Sequence, residues 1–190
     1  KEDKMKTQNG FTLLENEKEF KEWLDKQKVT RSITRLQVHH MDLPNYTTWK
    51  TTDEEYYKNN KELGRTKALD DYGKQTWKYS DGHGHYIAQH FNIFPNGKIT
   101  TGRNLNSTPV GIKGWNTNAI CIEIYGCFDK GKDKMTEEQK NAVIEKMGDG
   151  YKNWKNELER IGTIGIFEKN TSKEKISKIT KCDTHTKIGV

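Results

Sequence analysis

Seven residues, Ala119-Ile120-Cys121-Ile122-Glu123-Ile124-Tyr125, form the most apolar stretch of the chain and constrain its fold more than any other segment. The stretch reads as the central strand of a sheet. It matters because apolar residues are scarce: 31% of the 190 residues are hydrophobic and 32% are charged. That balance alone leans toward disorder. Against it stand 5 Trp, 8 Tyr and 6 Phe spread along the chain as core anchors. A folded, very hydrophilic single domain is expected. Glu123 interrupts the strand, and a carboxylate there is costly without a partner or a cavity. Two readings stand. Glu123 faces solvent or a lysine while Ile122 and Ile124 share the core side, or it lies beside a metal and can take a proton from bound water.

A second strand runs from Ile33 through Leu36 and Val38 to His39 and His40. Imidazoles at its carboxyl end would point into a cleft above the sheet, where a neutral ring can bind zinc. The alternative is a polar strand end with hydrogen-bonded histidines. Residues 1–15 read as an irregular lead-in. Asn16 and Glu19 form a capping box for a helix through Phe20, Trp23 and Leu24. The polar stretch from Asp53 to about Asp71 reads as a helical surface insertion. Gly82-His83-Gly84-His85 reads as a flexible loop whose histidines either clip a metal or are solvated.

A hairpin is predicted from Ile87–Phe94 and Ile99–Thr101 around Pro95-Asn96-Gly97. His90 within it reads as a buried, hydrogen-bonded histidine. Thr136 and Gln139 cap the longest predicted helix, with Val143, Met147, Tyr151, Trp154, Leu158 and Ile161 on one face. Gly148 and Gly150 weaken its middle. Ile176–Val190 is expected to be a last strand carrying His185. The expected class is α/β: a mixed central sheet flanked by helices, in one domain.

The net charge of +6 favours an anionic partner such as nucleic acid, teichoic acid or wall-peptide carboxylates. No arginine run or basic-aromatic ladder argues for nucleic acid. Cys121, Cys127 and Cys182 are odd in number and show no CxxC spacing, a poor disulfide framework, so a reduced chain is expected, with Cys121 in the core. No apolar stretch approaches a membrane span, so membrane insertion is not expected. The chain starts at Lys1, shows no signal peptide, and reads as a processed or excised fragment.

Several blocks in order carry a family resemblance. His90-Phe91, Pro95-Asn96-Gly97-Lys98-Ile99 and Thr101-Gly102-Arg103 resemble the hairpin of the type-2 N-acetylmuramoyl-L-alanine amidases. That group includes phage amidase-type lysozymes and peptidoglycan recognition proteins. Gly114–Glu123 resembles the family's "G-x-N-x-x-S-I-G-I-E" strand, and Val38-His39-His40 its "V-H-H" strand end. Asp129–Gln139, leading into a long helix, matches as well. The resemblance covers roughly residues 30 to 190 and points toward the clostridial and phage members.

The resemblance implies zinc as cofactor, His39 and His185 as ligands, His40 as a neighbour and Glu123 as the catalytic carboxylate. It implies hydrolysis of the amide between N-acetylmuramic acid and L-alanine in peptidoglycan. The site of action would be the bacterial wall or extracellular space, with the enzyme supplied by the bacterium or a phage. Trp115, Asn116 and Arg103 become candidate substrate contacts; for Trp115 core packing and for Arg103 a structural ion pair are the alternatives. The family's third ligand, Cys or Asp, is expected beyond Val190, where a wall-binding domain could also follow. Gln89 stands where some members carry tyrosine, and the family's histidine near Gly111–Ile112 is absent. A non-catalytic peptidoglycan-binding module of the same fold is the rival reading.

Overall fold

The computed structural model describes residues 5–55 and 57–147, together with strands Gly165–Glu168 and Lys175–Ser177. In chain order the strands are β1 (Thr7–Gln8), β2 (Phe11–Leu14), β3 (Arg35–His40), β4 (Phe91–Ile93), β5 (Ile99–Thr101), β6 (Ala119–Ile124), β7 (Gly165–Glu168) and β8 (Lys175–Ser177). The helices are α1 (Glu17–Asp25), α2 (Tyr46–Thr51), α3 (Lys61–Thr76) and α4 (Glu137–Met147). The strand order is β1-β2-β5-β4-β6-β3-β7-β8. The apolar strand β6 is central as expected, running parallel to both β3 and β4, while the other pairs are antiparallel.

Alternation along the strands separates two faces. One is apolar: Leu14, Ile99, Phe91, Ile93, Ile122, Ile124 and Val38 join Ala142 and Val143 of α4 in the main core. Helix α1 closes it, Phe20 and Trp23 packing on Phe91 with ring centroids 5.2 and 5.7 Å apart. Its start is the predicted cap, with Asn16 Oδ1 accepting the Glu19 N–H at 3.0 Å. The opposite face holds Phe11 and Leu13 against Leu63 of α3 and Ile87. A mixed sheet between helices, the α/β class read from the sequence, is what forms.

Three expectations are corrected. Residues 7–14 are not an irregular lead-in but a hairpin, whose second strand pairs Leu13 with Thr100 and buries Phe11, Leu13 and Leu14. The segment after Asp53 is not a surface insertion. Helix α3 lies on the sheet through Leu63, Gly64, Thr66, Asp70 and Gly73, and the Thr66 and Thr100 hydroxyls bond at 2.6 Å. Its buried face is polar and glycine-rich, so hydrophobic periodicity could not reveal it. The Gly82–His85 loop is tied down, not free. Asp81 Oδ1 accepts the His83 and His85 N–H groups at 2.7 and 3.0 Å, and Asp70 Oδ1 accepts those of Tyr86 and Ile87 at 2.6 and 2.9 Å.

The predicted hairpin forms around Asn96-Gly97, though β4 is only Phe91–Ile93. Tyr151 to Ile161 of the predicted long helix, and His185 and Cys182 of the predicted last strand, lie outside the described residues. Among the described residues no helix is long and apolar enough to cross a membrane.

Candidate active site

His39 and Glu123 are side by side because β3 and β6 run parallel with His39 paired to Glu123. Paired residues of adjacent strands share a face and stand about 5 Å apart. On the far side of Glu123, β4 pairs Asn92 with it, and Asn92 is paired in turn with Thr100 of β5. The face opposite the apolar core therefore carries a polar row, Thr100–Asn92–Glu123–His39, near the carboxyl ends of the three parallel strands. Such strand ends are where open α/β sheets bind ligands.

Each member is buried, His39 at 1% and Glu123 at 6% exposure. The row is hydrogen-bonded: Asn92 Nδ2 donates to Thr100 Oγ1 at 3.1 Å and Gln89 Nε2 to Asn92 Oδ1 at 2.6 Å. This burial excludes a solvent-facing Glu123, while Ile122 and Ile124 do share the core side. Gln89 thus supports the row through Asn92.

Two residues before His39 on the same face is Gln37, fully buried. Its Nε2 donates to Trp115 O at 2.9 Å and to Asn116 Oδ1 at 3.2 Å, and its Oε1 accepts the Ile112 N–H at 3.3 Å. Asn116 Oδ1 also accepts the Gly111 N–H at 3.0 Å. Gln37 therefore anchors the 111–116 loop beside His39. A Cβ at 111 would collide with Gln37 Oε1, so a larger residue there would displace the bonded amide. The sequence reading did not single out Gln37; its signal was a polar residue two positions before a candidate ligand in a buried strand.

The remaining candidates fall into place around this row. Trp115 is half-buried with the Arg35 guanidinium 5.1 Å from its ring centroid, and Asn116 is half-buried on the same loop. Arg103 is buried among backbone carbonyls, donating to Thr108, Tyr79, Ile87 and Ser80 at 2.7 to 3.1 Å. Burial lowers its pKa while Asp81 opposes the shift. Of its two readings the geometry favours the structural one, with carbonyls in place of the expected ion pair.

His40 and His90 are fixed by backbone donors, Nδ1 of His40 accepting the Phe128 N–H at 2.9 Å and Nδ1 of His90 that of Cys121 at 3.0 Å. Both bonds make these rings packing elements, as read for His90. His185 lies outside the described residues.

A separate group of donor atoms, on Asp42, Cys127 and Asp129, lies within 4.8 Å of one another. Burial, then the Asp42 side chain, pushes the Cys127 thiol up to about 11 in the metal-free protein. Cys127 Sγ lies 3.9 Å from Asp129 Oδ2, a contact within the turn after β6.

The N-acetylmuramoyl-L-alanine amidase family model matches residues 29–182, which include β3, the hairpin, β6 and α4. The chain belongs to this amidase family. No curated protein sequence matches it significantly. Among solved structures, peptidoglycan recognition protein 1 of Manduca sexta is similar at 25% identity and a TM-score of 0.45, over 67% of this chain and 63% of that one. Drosophila PGRP-LB is similar at 15% identity and a TM-score of 0.49, over 66% and 64%. Drosophila PGRP-SD follows at 18% identity and 0.48, over 67% and 68%. The match thus spans less than two thirds of the first two proteins.

Of the residues that would hold the zinc ion that the family implies, His39 is the one described, and its surroundings suit a ligand. A buried imidazole stands in register with a buried carboxylate, and the ring's other nitrogen is held by a fixed acceptor, His39 Nε2 lying 3.2 Å from Gln37 Oε1. Imidazole nitrogen is a zinc donor, and a hydrogen bond to its second nitrogen is the usual support of such a ligand.

Proposed function

We propose that this chain is a zinc-dependent amidase that hydrolyses the bond between the lactyl group of N-acetylmuramic acid and L-alanine in peptidoglycan. The observation that carries this reading is the juxtaposition of His39 and Glu123 at the strand ends of a chain of the amidase family. His39 and His185 would hold the metal. Zinc, when bound, polarises the scissile carbonyl and makes its water nucleophilic near neutral pH.

The protein's own part is proton handling and placement. Glu123 accepts the proton of the attacking water and returns it to the alanine nitrogen as the C–N bond breaks. Its burial in register with His39 places the carboxylate beside the proposed ligand. Trp115 and Asn116 offer an indole and an amide to the muropeptide beside His39. The charge of +6 favours approach to an anionic wall, the bacterial surface being the proposed place of action whether host or phage supplies the enzyme.

Incubation with purified peptidoglycan should release new L-alanine amino termini without new reducing ends, together with stoichiometric zinc in the protein. His39→Ala should lose metal and activity. Glu123→Ala should keep metal and lose at least about a hundredfold in rate, the usual scale for a general base. Parental activity in the Glu123 variant would overturn its role. Wall binding with no new amino termini would assign a binding module instead.

A further inference from the structure

We propose that Gln37 is a positioning residue that locks His39 in the Nε2–H tautomer and so presents Nδ1 as its metal-binding atom. The proposal rests on the zinc reading above. The backbone decides which end of the Gln37 amide is which. Gln37 Nε2 faces the Trp115 carbonyl at 2.9 Å, which only accepts, and Gln37 Oε1 faces the Ile112 N–H at 3.3 Å, which only donates.

Asn116 Oδ1 agrees, since it accepts from Gly111 N at 3.0 Å and also lies 3.2 Å from Gln37 Nε2. The carboxamide of Gln37 therefore has one orientation. Its Oε1 is an acceptor, so His39 Nε2, 3.2 Å away, must be the donor. In the neutral ring Nδ1 then carries the lone pair, the form a zinc ligand needs.

The arrangement is over-determined in space. Gln37 and His39 are both buried on one face of β3, and the 111–116 loop closes over the amide because Gly111 lacks a Cβ. His40 and His90 show the opposite case, in which a backbone N–H occupies Nδ1. In His39 it is Nε2 that is paired, to a side-chain amide. Gln37 thus joins the metal ligand to the Trp115–Asn116 loop through one side chain.

Long-range 1H–15N NMR on the zinc-free protein reads the tautomer directly, and chelator competition reads zinc affinity. In the wild type His39 Nε2 should be protonated and Nδ1 unprotonated. Gln37→Met removes the acceptor and should give a mixture of tautomers with zinc bound about 10–100-fold more weakly, the usual scale for a lost outer-shell partner. Gln37→Glu keeps the acceptor but loses the donor to Trp115, so it should retain the tautomer and at least wild-type zinc affinity while the loop loosens. Loss of zinc by both variants alike would reduce Gln37 to a loop anchor and overturn the proposal, as would an unprotonated Nε2 in the wild type. A wild type that shows the Nε2–H tautomer but never binds zinc would instead overturn the zinc reading, and with it the metal-presenting half of this one.

Discussion

A single backbone donor settles the chemistry of His90. The Cys121 N–H occupies Nδ1, so Nε2 must carry the proton, and it donates to Ser107 O at 2.9 Å. Charging the ring would put a second proton where one already points. Burial therefore lowers its pKa from 6.5 to about 3, with the Arg31 and Arg103 charges adding to the shift. In the unfolded chain the ring takes up a proton below about 6.5, whereas in the folded chain it does so only near 3. Stability is thus fully present above 6.5 and falls as the pH drops through that window, by up to about 1.4 kcal/mol per unit from this group. Urea unfolding from pH 7 to pH 4 should show the decline, with the His90 ring still neutral by NMR at pH 4. Asp81 adds to acid sensitivity at lower pH. Burial would raise its carboxyl pKa, but N–H groups of His85, His83 and Asn104 together hold it below its ordinary value. At the same scale, Gly111→Ala forces Gln37 and the loop apart and should cost about 1–3 kcal/mol by urea unfolding.

Among the elements, α3 shows most plainly why pattern reading has a limit. Amphipathic periodicity finds helices that bury hydrocarbon, as with α1, whose cap and aromatic residues were legible from Asn16 to Trp23. Helix α3 instead buries Thr66 and Asp70 and approaches closely at Gly64 and Gly73, where a Cβ would strike the Tyr57 side chain and the Tyr86 carbonyl. Its polar contacts depend on partners at Thr100, Tyr86 and Ile87 that no local window contains. Asp70→Ala strands two amide donors of the 86–87 segment and should destabilise by about 2–6 kcal/mol, on the scale of about 1–3 for each unsatisfied group. Denaturant midpoints at constant m-value would record it; a loss below about 0.5 kcal/mol would mean that water replaces the carboxylate.

For the whole molecule the decisive fact is that one sheet has two chemically different faces. Leu14, Ile99, Ile93, Ile122 and Val38 build an ordinary core on one side, while Thr100, Asn92, Glu123 and His39 lie on the other. The β1–β2 hairpin contributes to both, because Leu13 and Leu14 point in opposite directions and both are buried. Removing residues 1–14 should abolish cooperative unfolding and expose dye-binding apolar surface. A truncated chain with the parental melting profile would show the hairpin to be dispensable.

The sequence by itself determined the strands ending in His39–His40 and holding Glu123, the Asn-Gly hairpin, the α1 cap and the α/β class. Each is written in local periodicity or turn chemistry, and ordered motifs identified the family. Only the tertiary structure decided that β3 and β6 run parallel with His39 opposite Glu123, that Gln37 holds His39, and that Arg103 is a clamp. Register, burial and hydrogen-bond direction arise between segments some 80 residues apart, and pairing at that distance leaves no period in the chain for a sequence reading to find.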